Sequence, residues 1–321
     1  MSAQNQIEIW AHYLAKEQGR SPATVREYLK DVRLLRSWLD AEDKPQHLRG
    51  RDWGELSAAD LRAFLAAADP SPRRFHRLVN SWRSFWRFLV RVQKLPGVQD
   101  ITADLTTPKI PKRAPVKLTL EDVSKLLEVV YRDKSPQRGL KNWCIVAFLY
   151  GTGLRISEML AMKFADIEYQ DGSPVAVRVI GKGDKERRVP LSPTAQGALM
   201  RWLRERKTHG NPVTPWVWSP LSGKRYGQQM QARTIGKMLD TAAERAGLDP
   251  ATVSPHKLRH TFATTLLNNG RTLDEIKELL GHENIQTTMI YAQTDTRRVA
   301  AAAAALPDVV GLGMVAQTSK T

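Results

Sequence analysis

The sequence predicts a mainly α protein built in two parts: an N-terminal helical bundle, then a mostly helical domain carrying a small three-stranded antiparallel sheet. Apolar residues recur at helical spacing through roughly the first 100 positions. A proline-rich basic stretch, TTPKIPKRAPVK at 106–117, interrupts that pattern. Beyond it, the β-type pattern is confined to residues 167–191. The expected boundaries are a helical domain over 1–107, a linker over 108–117 and a second domain over 118–321. A chain of 321 residues with 42% hydrophobic content has room for two cores.

The elements follow in order. Ile7, Trp10 and Leu14 line a first helix. Ser21 caps a second and Pro22 takes its first position, where a missing N–H costs nothing. Its stripe is Val25, Leu29, Val32, Leu35 and Leu39. Ser57 caps a third helix, packed through Leu61, Phe64 and Leu65. A fourth is expected from about Arg73 to Val92, with Leu78, Trp82, Phe85, Trp86 and Leu89 on one face. After the linker, Thr119 and Asp122 form a capping pair that opens the next helix. Residues 142–150 read as a buried helix ended by Gly151-Thr152-Gly153, and 156–163 as a further turn or two. IEY at 167–169, VAVRVI at 175–180 and RRVPL at 187–191 read as strands, the last two joined by the glycine-rich turn GKGDKE. Helices resume at Ser192 and are expected to dominate to the end. The tail, AAAAALPDVVGLGMVAQTSKT, is either disordered or docked on a neighbour.

A net charge of +16 points to a polyanionic partner, most simply nucleic acid. The charge is uneven. Residues 1–107 carry a net of only +4, yet the fourth helix holds Arg73, Arg74, Arg77, Arg83, Arg87 and Arg91 with no acid among them. The apolar stripe docks that helix and leaves guanidinium groups to meet phosphates, so Arg73, Arg77, Arg83 and Arg87 are candidate DNA contacts. The competing reading is a solvated charged face. The lone cysteine, Cys144, excludes an internal disulfide framework and sits in the apolar run NWCIVAFLY. That run is too short to span a bilayer, and no signal peptide is visible. A soluble, cytoplasmic protein is expected.

The chemistry concentrates in SPHKLRHTFATTLLNNGRTLDEIKELLGHENIQTTMIYAQ. Ser254-Pro255 starts a helix that places His256 and Arg259 near its N-terminus, where the helix dipole favours an anion. Thr272 and Glu275 cap the next helix, Gly281 ends it, and His282 follows directly. Tyr291 comes nine positions later. A free phenol has a pKa near ~10 and is a weak nucleophile at neutral pH. Neighbouring arginine and histidine cations favour the phenolate and stabilise a pentacoordinate phosphorane. Read alone, such a tyrosine is more often a packed aromatic. His256 and His260 also have the spacing of a zinc pair, but Lys257 stands where a metalloprotease helix carries its glutamate. Upstream, GTGLRISEML puts Arg155 after a glycine turn with Glu158 placed to orient it, and Lys182 stands at the tip of the GKGDKE turn. That turn lacks the spacing of a nucleotide-binding P-loop.

With GTGLRISEML, GKGDKERRVPL, HKLRHTFATTLLNNG and LLGHENIQTTMIYA in order over about residues 143–292, the chain resembles the tyrosine recombinase (phage integrase) family, most closely its Xer type. The resemblance implies a SAM-like core-binding domain in the first part and a catalytic domain in the second. It implies that Arg155 and Arg259 clamp a scissile phosphate and that Lys182 protonates the leaving 5′ oxygen. His256 and His282 would hydrogen-bond the phosphoryl group, and Tyr291 would be the nucleophile. It implies cutting and rejoining of double-stranded DNA through a 3′-phosphotyrosyl link, with no cofactor and no metal. The expected assembly is a homo- or hetero-tetramer on two DNA sites, away from any membrane. The tail near Val309 and Val310 is the expected contact with a neighbouring subunit. Two other functions use the same features: a type IB topoisomerase-like relaxation activity, and a DNA-binding regulator that does not cleave.

Overall fold

The computed structural model describes residues 3–41, 43, 49–110, 118–181, 185–209 and 213–281. The chain separates into two compact units, Met1–Arg113 and Ala114–Thr321.

The first unit contains helices α1 (Ala3–Lys16), α2 (Pro22–Leu39), α3 (Ala58–Ala68) and α4 (Pro72–Arg87). Ser21 Oγ accepts from the Thr24 N–H at 3.2 Å, and the Ser57 N–H donates to the Asp60 carboxylate at 2.7 Å, so both helix starts are pinned by their own first turn. Aromatic rings fill the core. Trp10, Trp53, Trp82, Trp86, Phe64 and Phe85 are all buried. Phe85 meets Trp10 and Trp53 edge-on at centroid separations of 5.0 and 4.9 Å, the arrangement that the ring quadrupoles favour. The expected stripe on α4 is fully buried, but the α-helix ends at Arg87 and continues as a π-helical turn over Phe88–Val92. The wider turn brings the consecutive Phe88 and Leu89 both into the core.

The second unit runs α5 (Leu120–Tyr131), α6 (Pro136–Thr152), α7 (Ile156–Ala161), strands β1 (Ile167–Gln170), β2 (Ser173–Ile180) and β3 (Glu186–Pro190), then α8 (Pro193–Thr208), α9 (Ala232–Arg245), α10 (Pro255–Asn268) and α11 (Leu273–Leu280). The C-terminal half of α6 is apolar nearly all round. Residues Cys144 to Leu149 are fully buried, and α5, α8 and α10 pack against it. Burial pushes the Cys144 thiol up to about 12, as befits a core residue. The strands form an antiparallel sheet in the order β1-β2-β3. Val177 pairs with Ile167 on one side and Val189 on the other, and these three side chains face the core. One boundary differs from the sequence reading, and one stretch within the helical region is irregular. Helix α6 begins at Pro136 under the Ser135 cap rather than near Asn142, and no helix spans 213–231. There Trp218 is buried among core side chains, stacked on Trp202 at 5.7 Å, and Trp216 bridges Lys163 in extended backbone. Among the described residues no helix is long and apolar enough to cross a membrane.

Candidate active site

Helix α7 supplies the first piece. Arg155 caps it, and Glu158, three residues on, reaches back to accept from the Arg155 N–H at 2.9 Å. The same carboxylate accepts from Arg155 Nη1 at 2.7 Å. The Arg-x-x-Glu spacing is therefore a cap and an ion pair at once.

Strand β3 supplies the second. Arg187 pairs with Val179 and shares a face with Val189, because alternate residues of a strand point the same way. It reaches Glu158 with both ends of its fork, Nη1 to Oε1 at 3.0 Å and Nη2 to Oε2 at 2.9 Å. Arg188, on the opposite face, pairs with Glu168 at 2.7 Å and leaves the site.

Helix α10 supplies the third. Ser254 Oγ accepts from the Lys257 N–H at 3.2 Å and fixes the helix start. Arg259 lies one turn on with its side chain only 2% exposed. Its Nη1 donates to the Gly153 carbonyl at 2.8 Å and its Nη2 to the Leu280 carbonyl at 2.7 Å. Those carbonyls belong to the C-terminal ends of α6 and α11, where unpaired oxygens carry the negative end of the helix dipole. Both helices turn off through a left-handed glycine, Gly153 at φ 62° and Gly281 at φ 63°. Close contact adds to the demand for glycine. A Cβ on Gly153 would stand 2.4 Å from the Phe262 ring, and one on Gly281 would stand 2.8 Å from Arg187.

The three pieces meet on Glu158, whose side chain is 4% exposed. Arg155 and Arg187 bond it, and Arg259 Nη1 lies 3.9 Å from it. Burial works to raise the Glu158 pKa, but the hydrogen bonds and charge of Arg187 and Arg155 outweigh it and hold the carboxyl below its usual range. His256, at the start of α10, is shifted the other way. Burial, then the charges of Arg259, Lys257 and Arg155, hold its imidazole below the ordinary histidine range. The shift favours the neutral imidazole, which can accept or donate a hydrogen bond beside two guanidinium groups.

Of the residues singled out from sequence, Arg155, His256 and Arg259 come together here. Lys182, His282 and Tyr291 lie outside the described residues, as do Val309 and Val310. The described flanks of the GKGDKE turn are closed by Gly181 donating to the Lys185 carbonyl at 2.8 Å. Among the described residues no cluster of three or more His, Cys, Asp or Glu side chains is placed to hold a metal. Local pattern did not single out Arg187. Its signal was present in the strand alternation, which puts an arginine on the same side as the buried Val189.

On α4 the arginines divide. Arg77 is engaged within its own unit, paired with Glu27 and, at 3.0 Å, with the buried Asp31. Arg83 donates to the Leu105 carbonyl at 2.6 Å. Arg73 and Arg87 are exposed and form no ion pair among the described residues.

Residues 117–298 match the phage integrase family, and residues 7–93 match the phage integrase N-terminal SAM-like domain. The chain is 33% identical to tyrosine recombinase XerD of Listeria monocytogenes over 302 residues, covering 91% of this chain and 95% of that one. It is 36% identical to tyrosine recombinase XerC of Oceanobacillus iheyensis over 301 residues, covering 89% and 92%. Among solved structures, the Tn1549 transposon integrase in complex with circular intermediate DNA superposes with a TM-score of 0.67 at 21% identity, covering 94% of this chain and 99% of that one. The XerH site-specific recombinase bound to its difH substrate superposes with a TM-score of 0.66 at 22% identity, covering 88% and 78%. The fold is shared with both. By these matches the chain belongs to the phage integrase family, as a tyrosine recombinase most similar to the Xer type.

Proposed function

We propose that the chain cuts and rejoins double-stranded DNA at specific sites, with Tyr291 as the nucleophile. The supporting observation is the knot of Arg155, Arg187 and Arg259 on Glu158, with His256 beside it. Three guanidinium groups against one carboxylate leave a net of two positive charges where a scissile phosphate would sit. Arg155 clamps a non-bridging oxygen, and Arg259, held beneath by the Gly153 and Leu280 carbonyls, adds positive charge that stabilises the phosphorane. Tyr291 Oη attacks phosphorus as its proton leaves, with His256 and His282 as the assigned acceptors. The bond from phosphorus to the 5′ oxygen breaks, and that oxygen takes a proton from Lys182. The enzyme is left joined to the 3′ phosphate. A 5′-hydroxyl from a second duplex then attacks the same phosphorus and expels Tyr291, which regains its proton. One phosphodiester is exchanged for another, so the step is close to isoenergetic and needs no nucleotide.

XerH and the Tn1549 integrase are described bound to DNA substrates. For this chain we assign the same partner, engaged as a tetramer on two sites in the cytoplasm. The reaction serves chromosome dimer resolution or the integration and excision of mobile elements, and an inverted-repeat footprint with a short spacer would separate both from topoisomerase-like relaxation. The nucleophile is tested on a nicked duplex enriched from a randomised pool by the wild-type chain. The Tyr291→Phe variant should bind it as wild type does and give no covalent adduct on a denaturing gel. Adduct from that variant would overturn the assignment.

A further inference from the structure

We propose that Arg187 is a positioning residue for this reaction: it neutralises Glu158, so that Arg155 is aimed by the carboxylate without being neutralised by it. The inference rests on the strand-exchange reading above. Glu158 is nearly sealed from water, and its two oxygens face three guanidinium groups. Arg187 alone meets it with both ends of the fork, the geometry that best matches a carboxylate. Arg155 has one side-chain bond to it and remains 38% exposed. Arg187 is 14% exposed, so its charge is directed inward and not at a ligand.

Arg187 also ties three segments of the chain together. It stands on β3, one end of the hairpin whose turn contains Lys182. It reaches α7 through Glu158. Its Nε donates to the Leu279 carbonyl at 3.5 Å, and its side chain lies so close over Gly281 that a Cβ there would meet Cδ, Nε and Cζ at 2.8 Å. Gly281 immediately precedes His282 in the chain. One guanidinium thus ties the Arg155 clamp to the strand and the helix end that adjoin two further expected site residues.

Removing Arg187 would leave Glu158 to claim Arg155 and Arg259, lowering the positive charge offered to phosphate and shifting Arg155 inward. The test is single-turnover cleavage of the nicked duplex together with its binding affinity, for Arg187→Met, Arg187→Lys, Glu158→Gln and the Arg187→Met/Glu158→Gln double variant. Arg187→Met should slow cleavage roughly 10- to 100-fold, the scale of a clamp displaced by about 1 Å, with site affinity changed less than about threefold. Arg187→Lys should recover part of the rate, since it restores charge without the fork. Adding Glu158→Gln to Arg187→Met should raise the rate at least about fivefold over Arg187→Met alone, because the unbalanced carboxylate is gone. Wild-type rates in Arg187→Met would overturn the proposal, as would a double variant no faster than Arg187→Met, the outcome of a purely architectural role. Absence of a Tyr291-dependent adduct in the wild-type chain would instead overturn the underlying strand-exchange reading.

Discussion

Replacing Gly153 with alanine should damage stability and the site together, and by amounts that can be worked out. Gly153 sits at φ 62°, where an L side chain costs about 1–2 kcal/mol. The new Cβ would lie 2.4 and 2.8 Å from two Phe262 ring carbons and 3.0 Å from a Leu280 methyl carbon. Moving a ring of α10 that packs against the α10–α11 cluster is a small-to-large insertion, costing about 1–3 kcal/mol. The sum is about 2–5 kcal/mol. For a unit of this size that lowers Tm by at least about 4 °C. The Gly153 carbonyl also accepts from Arg259 Nη1, so a shift of about 1 Å would slow cleavage by up to roughly 100-fold. Urea unfolding and single-turnover cleavage measure the two effects. A second change separates strain from clash. Phe262→Leu in the Gly153→Ala background should be less destabilising than the sum of the single changes by more than about 0.5 kcal/mol, because the smaller side chain clears the Cβ. A Gly153→Ala variant within about 0.5 kcal/mol of wild type would refute the reasoning, and strict additivity with Phe262→Leu would refute the steric part.

Three further outcomes follow from the same geometry. Arg155→Ala should reduce cleavage far more than affinity for the duplex, because the clamp acts on the transition state; equal losses would reassign Arg155 to DNA positioning. Arg77→Ala should cost stability of about 1–3 kcal/mol, because it strips a partner from the buried Asp31, whereas Arg73→Gln and Arg87→Gln should weaken DNA binding and lower its salt slope without changing Tm. Burial already raises the Asp31 pKa against Ser81 and Arg77, so this carboxylate weakens folding as pH rises from about 3.9 through its folded pKa, and the Arg77→Ala deficit should grow over that window. His256 has a folded pKa below its unfolded value near 6.5, so the unfolded chain takes up the proton first and stability falls as pH drops below about 6.5; His256→Asn should flatten that segment of a stability profile recorded between pH 7.5 and 5.

The features legible in sequence were those with local causes. Ser21-Pro22, Thr119 with Asp122, Ser254-Pro255 and Thr272 with Glu275 each satisfy backbone groups within one turn, and each starts a helix where expected. The start of α6 is hidden from an apolar-period reading because residues 136–141 are mostly polar and the apolar period begins only afterwards, although Ser135-Pro136 is the same kind of cap. The expectation that helices dominate after Ser192 leaves 213–231 unassigned, and Pro215 and Pro220 there fit the irregular, tryptophan-anchored chain that is found. The link between Arg259 and Gly153 joins residues 106 apart, and that between Arg187 and Glu158 joins residues 29 apart. No periodicity reaches so far. Arg155 and Arg259 were located by motif, while the residue that holds their carboxylate was not.

The order of burial in the knot explains why it needs both an acid and three arginines. Side-chain exposure rises from 2% at Arg259 through 14% at Arg187 to 38% at Arg155. A buried guanidinium is costly unless its hydrogen bonds are met, and Arg259 finds carbonyls at two helix ends while Arg187 finds a carboxylate. The inner two therefore brace α6, α7, α11 and β3 against one another. Arg155 is different, since Glu158 holds one side of its fork and water reaches the rest. An anion arriving at that outer edge meets a cation whose direction is already fixed. Its field is reinforced from beneath by charges that cannot turn away, and such preorganised charge is what a phosphoryl transition state rewards.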